Sequence, residues 1–157
     1  MTGATVPTGG ILHRNLDELV AYPKHPPRKN SPEYQRTHKH LVYTLDAPCW
    51  VCGIRHSQGG ALETHHDHFE WASQNGLDLA KVTADWPAIT DREKLAEWVD
   101  SEANMLVLCS AHHRGKHTGI HEVSYPAWLL QRYEGDDFTF IDQSNVPVAR
   151  VGLLAPH

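Results

Sequence analysis

Two short pairs of side chains, Cys49-x2-Cys52 and Cys109-x2-His112, limit what this chain can fold into more than any other feature. A two-residue spacer lets a tight turn aim both members of a pair at one point, and two such pairs complete a tetrahedral N/S shell suited to Zn²⁺. Completing it fixes Cys52 against Cys109, 57 positions later, so the intervening chain must leave one place and return to it. A closed shell is structural, supplying folding free energy that a small core lacks. A redox Cys-x2-Cys would need a strand-to-helix setting that Asp46 to Gly60 does not offer. Simple buried thiols would leave Cys109-x2-His112 unexplained. Three cysteines are an odd number, which suits metal ligation in a reducing, cytoplasmic setting better than a disulfide framework.

At 157 residues the chain has the length of one domain. Residues 1–30, with an amphipathic stretch from Ile11 to Tyr22 and the Pro-rich Pro23 to Pro27, read as an arm or linker. Residues 31–135 read as the domain, and 136–157 as a C-terminal hairpin, Phe138–Asp142 against Val146–Val151, packed on it. Within the domain, Ser31-Pro32 is a helix start for 32–40. Ala61 to His66 reads as a strand, Phe69 to Asn75 as helical up to Gly76. Thr90-Asp91-Arg92-Glu93 is a capping box opening a helix with an apolar face of Leu95, Trp98 and Val99 that stops near Asn104. Met105 to Leu108 reads as a buried strand, Cys109 to His117 as a helix, and Ser124 and Pro126 open another through Tyr133. The fold class is therefore α+β. The longest apolar run, Met105 to Cys109, is too short to cross a membrane, and the N-terminus has no signal-peptide pattern.

The formal net charge is -5 and unevenly spread. Residues 1–56 carry seven Lys/Arg against four Asp/Glu, whereas residues 57–157 carry seven against fifteen. Bulk attraction to nucleic acid is not expected from that balance. One stretch departs from it: Lys24, Arg28, Lys29, Arg36 and Lys39, interleaved with histidines and Tyr34, form a candidate phosphate-facing patch. A solvated arm is the plainer reading of the same residues.

Seven of the thirteen histidines lie in two tight clusters, His65, His66 and His68, and His112, His113, His117 and His121. Adjacent histidines on an extended segment point to opposite sides, so one of His65 and His66 can grip an ion while the other stands free as a base. His113 and His117, four apart, would share one face of a helix and reach a single ion, with His65 as third ligand. Three protein ligands leave positions open for water and a substrate oxygen, the form of a catalytic site. A second structural zinc, or polar histidines satisfied within the fold, is the competing reading.

These segments together resemble the HNH, or ββα-metal, endonucleases of the zinc-knuckle type, over about residues 49–121. Leu62-Glu63-Thr64-His65-His66 occupies the family's first motif, which implies His65 as metal ligand and His66 as general base. Asn104, just before the apolar strand, matches the family's middle Asn, which ties the hairpin together and helps orient the base. His113 follows directly on His112, as the family's final His follows its second knuckle. The segments HHDHFEWASQNGLDL and LCSAHHRGKHTGIH are also similar to short HNH proteins of actinobacterial bacteriophages. In that comparison His121 competes with His117 as third ligand, and His117 is placed slightly ahead.

The resemblance implies hydrolysis of DNA, double-stranded by preference, leaving a 5′-phosphate and a 3′-hydroxyl. It implies Zn²⁺ in the knuckle and Mg²⁺, Mn²⁺, Ni²⁺ or Zn²⁺ at the second site. Arg114 and Lys116 are candidate phosphate contacts, and Glu70, Asp67 and His68 candidate partners orienting the ligand histidines. The acidic C-terminal two thirds suits a rival: a catalytically inactive zinc-built module, acting as a phage adaptor in DNA packaging or as an inhibitor of a host protein in the host cytoplasm.

Overall fold

The computed structural model describes residues 29–133, so the reading of most of the arm (Lys24 and Arg28 included) and of the C-terminal hairpin falls outside the described residues. Helix α1, Pro32–Lys39, begins as its sequence predicts: the Ser31 side chain accepts from the Tyr34 N–H, with proline in the first turn. A π-helical turn, His40–Thr44, carries it into the loop that holds Cys49 and Cys52. Strand β1, Leu62–His66, follows. The chain then makes an excursion through a 3₁₀ turn at Trp71–Gly76, helix α2 at Leu79–Asp85 and helix α3 at Arg92–Val99. It returns as strand β2, Met105–Cys109, which runs straight into helix α4, Ser110–Arg114. Helix α5, Tyr125–Leu130, ends the described part with one 3₁₀ turn.

The architecture is mixed helix and strand around a two-stranded antiparallel sheet, β1 against β2, with Leu62 opposite Cys109 and His66 opposite Met105. That register puts the start of β1 beside the knuckle and its end beside the excursion. Period 2 along β1 then separates neighbours. Thr64 and His66 meet α1 and the end of α3, while Glu63 and His65 meet α4 and the turn after it.

Two apolar clusters hold these parts. One gathers Val42, Val51, Leu62, Val107, Leu108 and Trp128 with the three cysteines. Trp128 is fully buried, stacks on Trp50 at 5.4 Å between ring centroids and donates its indole N–H to the His112 carbonyl oxygen at 2.8 Å. The other cluster belongs to the excursion: Val82, Ile89, Leu95 and Val99, with Phe69, Trp86 and Trp98 packed on them. Asn104 closes the excursion. Its side chain is completely buried, donates to the carbonyl oxygens of Phe69 (2.9 Å) and Val99 (2.8 Å), and accepts from the N–H groups of His68 (2.8 Å) and Phe69 (3.2 Å). All four hydrogen-bonding positions of the amide are thereby filled.

The elements depart from the sequence reading in four places. The segment after Phe69 is 3₁₀ from Trp71, not α-helical. Helix α2, capped by Asp78 accepting from Ala80 and Lys81 N–H, was not anticipated from the sequence. Helix α3 is capped by Asp91 and not Thr90, and stops at Val99, five residues before Asn104, because Ser101 and Asn104 turn into a 3₁₀ segment that aligns β2. Helix α4 is shorter than the expected span to His117: it ends at Arg114, where Gly115 turns extended.

Candidate metal centre

The loop before β1 makes its turn on Gly53, whose φ of +76° an L side chain rarely adopts. Gly53 N–H donates to the Cys49 carbonyl oxygen and Cys49 N–H to that of Ile54, both at 2.8 Å. The turn aims Cys49 and Cys52 at Cys109, the last residue of β2, and His112, one turn into α4. All four are buried, with ligand atoms within 4.8 Å of one another. Cys109 Sγ lies 3.1 Å from His112 Nδ1, Cys49 Sγ 3.8 Å from the same nitrogen and Cys52 Sγ 3.9 Å from Cys109 Sγ. Contacts with Cys109 and Cys52 hold the Cys49 thiol well below its ordinary value. Burial opposes protonation of His112, but hydrogen bonds to Cys109 and Cys49 push it up to about 9. A buried Cys3His group with one thiolate already favoured could bind a metal such as zinc, and its composition is compatible with a zinc knuckle.

On the other side of the sheet, His65, His113 and His121 also bring their ligand atoms within 4.8 Å of one another. His113 Nε2 and His121 Nε2 are 3.1 Å apart, and the His65 ring meets those of His113 and His121 edge-on, at 5.2 and 4.7 Å. Burial, aided by the nearby rings of His121 and His113, pushes His65 down to about 3, so it is held neutral with a lone pair to offer. Burial and His113 lower His121 as well.

His117 does not join this group. Gly115 leaves the helix with ψ 132°, Thr118 Oγ1 bonds the Ala111 carbonyl oxygen, and the chain folds back so that Ile120 and His121 N–H reach the carbonyls of His112 and His113. The expected one-face pairing of His113 with His117 needs helix through residue 117. With that helix cut short, His117 is exposed and His121 stands in the place proposed for it. A Cβ at Gly119 would sit 2.6 to 2.8 Å from main-chain atoms of Gly115 and His113, so the fold-back itself requires glycine there.

Glu63 was not singled out from the sequence. Its carboxylate bonds His113 Nδ1 and is also clasped by Arg114, whose Nε donates at 3.0 Å. Desolvation opposes ionisation of Glu63, but His113 and Arg114 outweigh it and keep the carboxyl below its usual range. A carboxylate on Nδ1 fixes the ring with Nε2 facing the group, as carboxylates commonly do for metal-binding histidines. Only a strand position facing α4 could have flagged it. Arg114, a candidate phosphate contact, pairs with Glu63. Lys116, Lys29, Arg36 and Lys39 are exposed, and Arg36 pairs with Glu33.

His66 is buried on the opposite face of β1, beneath Tyr34, with Nε2 3.0 Å from the carboxylate of Asp100. Glu70 stands between the two histidines, 3.6 Å from His65 Nε2 and 3.8 Å from His66 Nδ1. Asp67 and His68 pair with each other at 3.2 Å. Asn104 spends its side chain on main-chain groups of the excursion, so any effect on His66 passes through the backbone.

No protein-family model, no curated protein and no solved structure matched this chain when it was compared with each. No helix among the described residues is long and apolar enough to cross a membrane.

Proposed function

We propose that this chain is a metal-dependent endonuclease of the HNH, ββα-metal type, hydrolysing phosphodiester bonds of DNA. The observation that carries the reading is the arrangement of β1: His65 joins His113 and His121 around one point, while His66, next in the chain, stays outside that group. The donor set fits a divalent ion. It holds three imidazoles, one kept neutral by burial and one aligned by Glu63, and as a three-ligand set it leaves room for oxygen ligands.

In this reading Cys49, Cys52, Cys109 and His112 hold a structural Zn²⁺ that locks the loop, β2 and α4 together. His65, His113 and His121 hold the second ion, Mg²⁺, Mn²⁺, Ni²⁺ or Zn²⁺. When bound, that ion supplies Lewis acidity to a phosphate oxygen and to the departing 3′-oxygen. His66 accepts a proton from water as the water oxygen attacks phosphorus, and the bond to the 3′-oxygen breaks. Glu70 helps to orient the water between His65 and His66. Exposed Lys29, Lys39 and Lys116 offer charge to the DNA backbone.

The test is supercoiled plasmid incubated with the full chain and each of the four ions in turn, beside His66→Ala. Nicking that disappears in the variant is expected. Intact plasmid under every ion would overturn the reading. It would favour the inactive zinc-built adaptor or inhibitor, for which one observation speaks: the cations Arg114 and Arg36 are already engaged by Glu63 and Glu33.

A further inference from the structure

We propose that Asp100 is a positioning residue for His66, fixing the imidazole proton on Nε2 so that Nδ1 is the nitrogen that takes the proton from water. The role rests on the nuclease reading, whereas the tautomer does not.

Asp100 follows the last residue of α3 and is buried, as is His66, and their 3.0 Å contact joins Oδ1 to Nε2. A carboxylate only accepts, so a neutral His66 in this contact carries its hydrogen on Nε2. The lone pair is then on Nδ1, which faces Glu70, the same side chain whose other oxygen lies 3.6 Å from Nε2 of His65. Glu70 thus links the Nδ1 side of His66 to the group that the three histidines form.

Asp100 is itself oriented from a distance. Its second oxygen accepts the Ser31 hydroxyl at 2.6 Å, while the same Ser31 oxygen accepts the Tyr34 N–H at 2.9 Å as the cap of α1. Tyr34 in turn stands over the His66 ring, with centroids 6.2 Å apart. Ser31, Asp100 and His66 therefore form a chain of hydrogen bonds that reaches from α1 through the end of α3 to β1. With its hydroxyl hydrogen committed to Asp100, Ser31 also determines what an amide would do in that place. Asn at position 100 would turn its oxygen to Ser31 and its NH₂ to His66, forcing the proton onto Nδ1.

The experiment uses the full chain with one equivalent of Zn²⁺, labelled with ¹⁵N-histidine, in mildly alkaline buffer. Nitrogen chemical shifts and two-bond couplings read the tautomer, and His66→Ala identifies the signal. The expected result is an Nε2–H tautomer in the natural protein and Nδ1–H in Asp100→Asn, with the amide spectrum otherwise unchanged. Cleavage by Asp100→Asn should then fall about 10²- to 10⁴-fold in kcat, with KM little altered. A proton on Nδ1 in the natural protein, both nitrogens protonated, or a folded Asp100→Asn with an unmoved tautomer overturns the proposal. Should Asp100→Asn fail to fold, the tautomer of the natural protein decides. A tautomer that moves in a protein that cuts nothing ends the nuclease reading and keeps this assignment. Cleavage that Asp100→Asn leaves unchanged does the reverse.

Discussion

Glu63 on β1 and His113 on α4, distant in sequence, are bonded carboxylate to Nδ1 across the side of the sheet where the three histidines meet. The pairing ties the strand that carries His65 to the helix that carries His113 and orients the His113 ring.

Glu63→Gln should therefore weaken the second ion about 10- to 100-fold while leaving the knuckle zinc in place. Titration of the zinc-loaded protein with Mn²⁺ or Ni²⁺ by calorimetry measures it. Unchanged affinity would show that the ring is aligned without the carboxylate.

The fold-back after α4 makes an opposing pair of forecasts. His121→Ala should lose the second ion, and His117→Ala should keep it. Gly119→Ala should behave like a milder His121→Ala, since its methyl would press on the main chain of Gly115 and His113, costing about 1–3 kcal/mol or displacing His121. Thermal unfolding and ion titration of the three variants separate these outcomes.

Cys49→Ser, or exhaustive chelation, should abolish cooperative unfolding, because the four knuckle residues join the loop, β2 and α4 and metal binding there is folding free energy. Elemental analysis should find one tightly held zinc in the natural protein and none in the variant. A variant that unfolds as sharply as the parent would remove the knuckle's structural role.

Acid should destabilise the protein whose second site is empty over a definite window. Burial holds His65 at about 3 in the folded chain against 6.5 when exposed. Between those values the unfolded chain binds the extra proton, so stability rises with pH there and is lost as pH falls from about 6.5 toward 3. Unfolding midpoints of the chain loaded with one equivalent of Zn²⁺, across the upper part of that range, check it. His65→Gln should flatten the slope.

Asn104→Ala should cost about 3 kcal/mol, since it strands main-chain groups of His68, Phe69 and Val99 that the amide now satisfies. Asn104→Asp should cost nearly as much, because a carboxylate cannot donate to the Phe69 and Val99 carbonyls. Chemical denaturation of both variants gives the values.

What the sequence disclosed and what it hid follow from the range of the interactions involved. Ser31-Pro32, the strands at Leu62–His66 and Met105–Cys109, and the Cys3His set are written in local patterns: a cap, an apolar run, a two-residue spacer. That His121 and not His117 lies beside His113 depends on where α4 gives way at Gly115, and helical spacing alone points to His117. Helix α2 is only seven residues long and is held by packing of Leu79 and Val82 in the cluster with Trp86, a tertiary effect. Glu63 and Asp100 look like ordinary surface acids until the register of β1 and the end of α3 are known.

The excursion from 67 to 104 packs its own apolar cluster and reaches the histidines of β1 through two carboxylates, Glu70 beside His65 and His66 and Asp100 on His66. A shortened chain with a plain hairpin in its place would retain the residues of both clusters and forfeit the two carboxylates that face His66. The two clusters and the acids that surround His66 are in that sense carried by separate stretches of polypeptide, and the second can change without rebuilding the first.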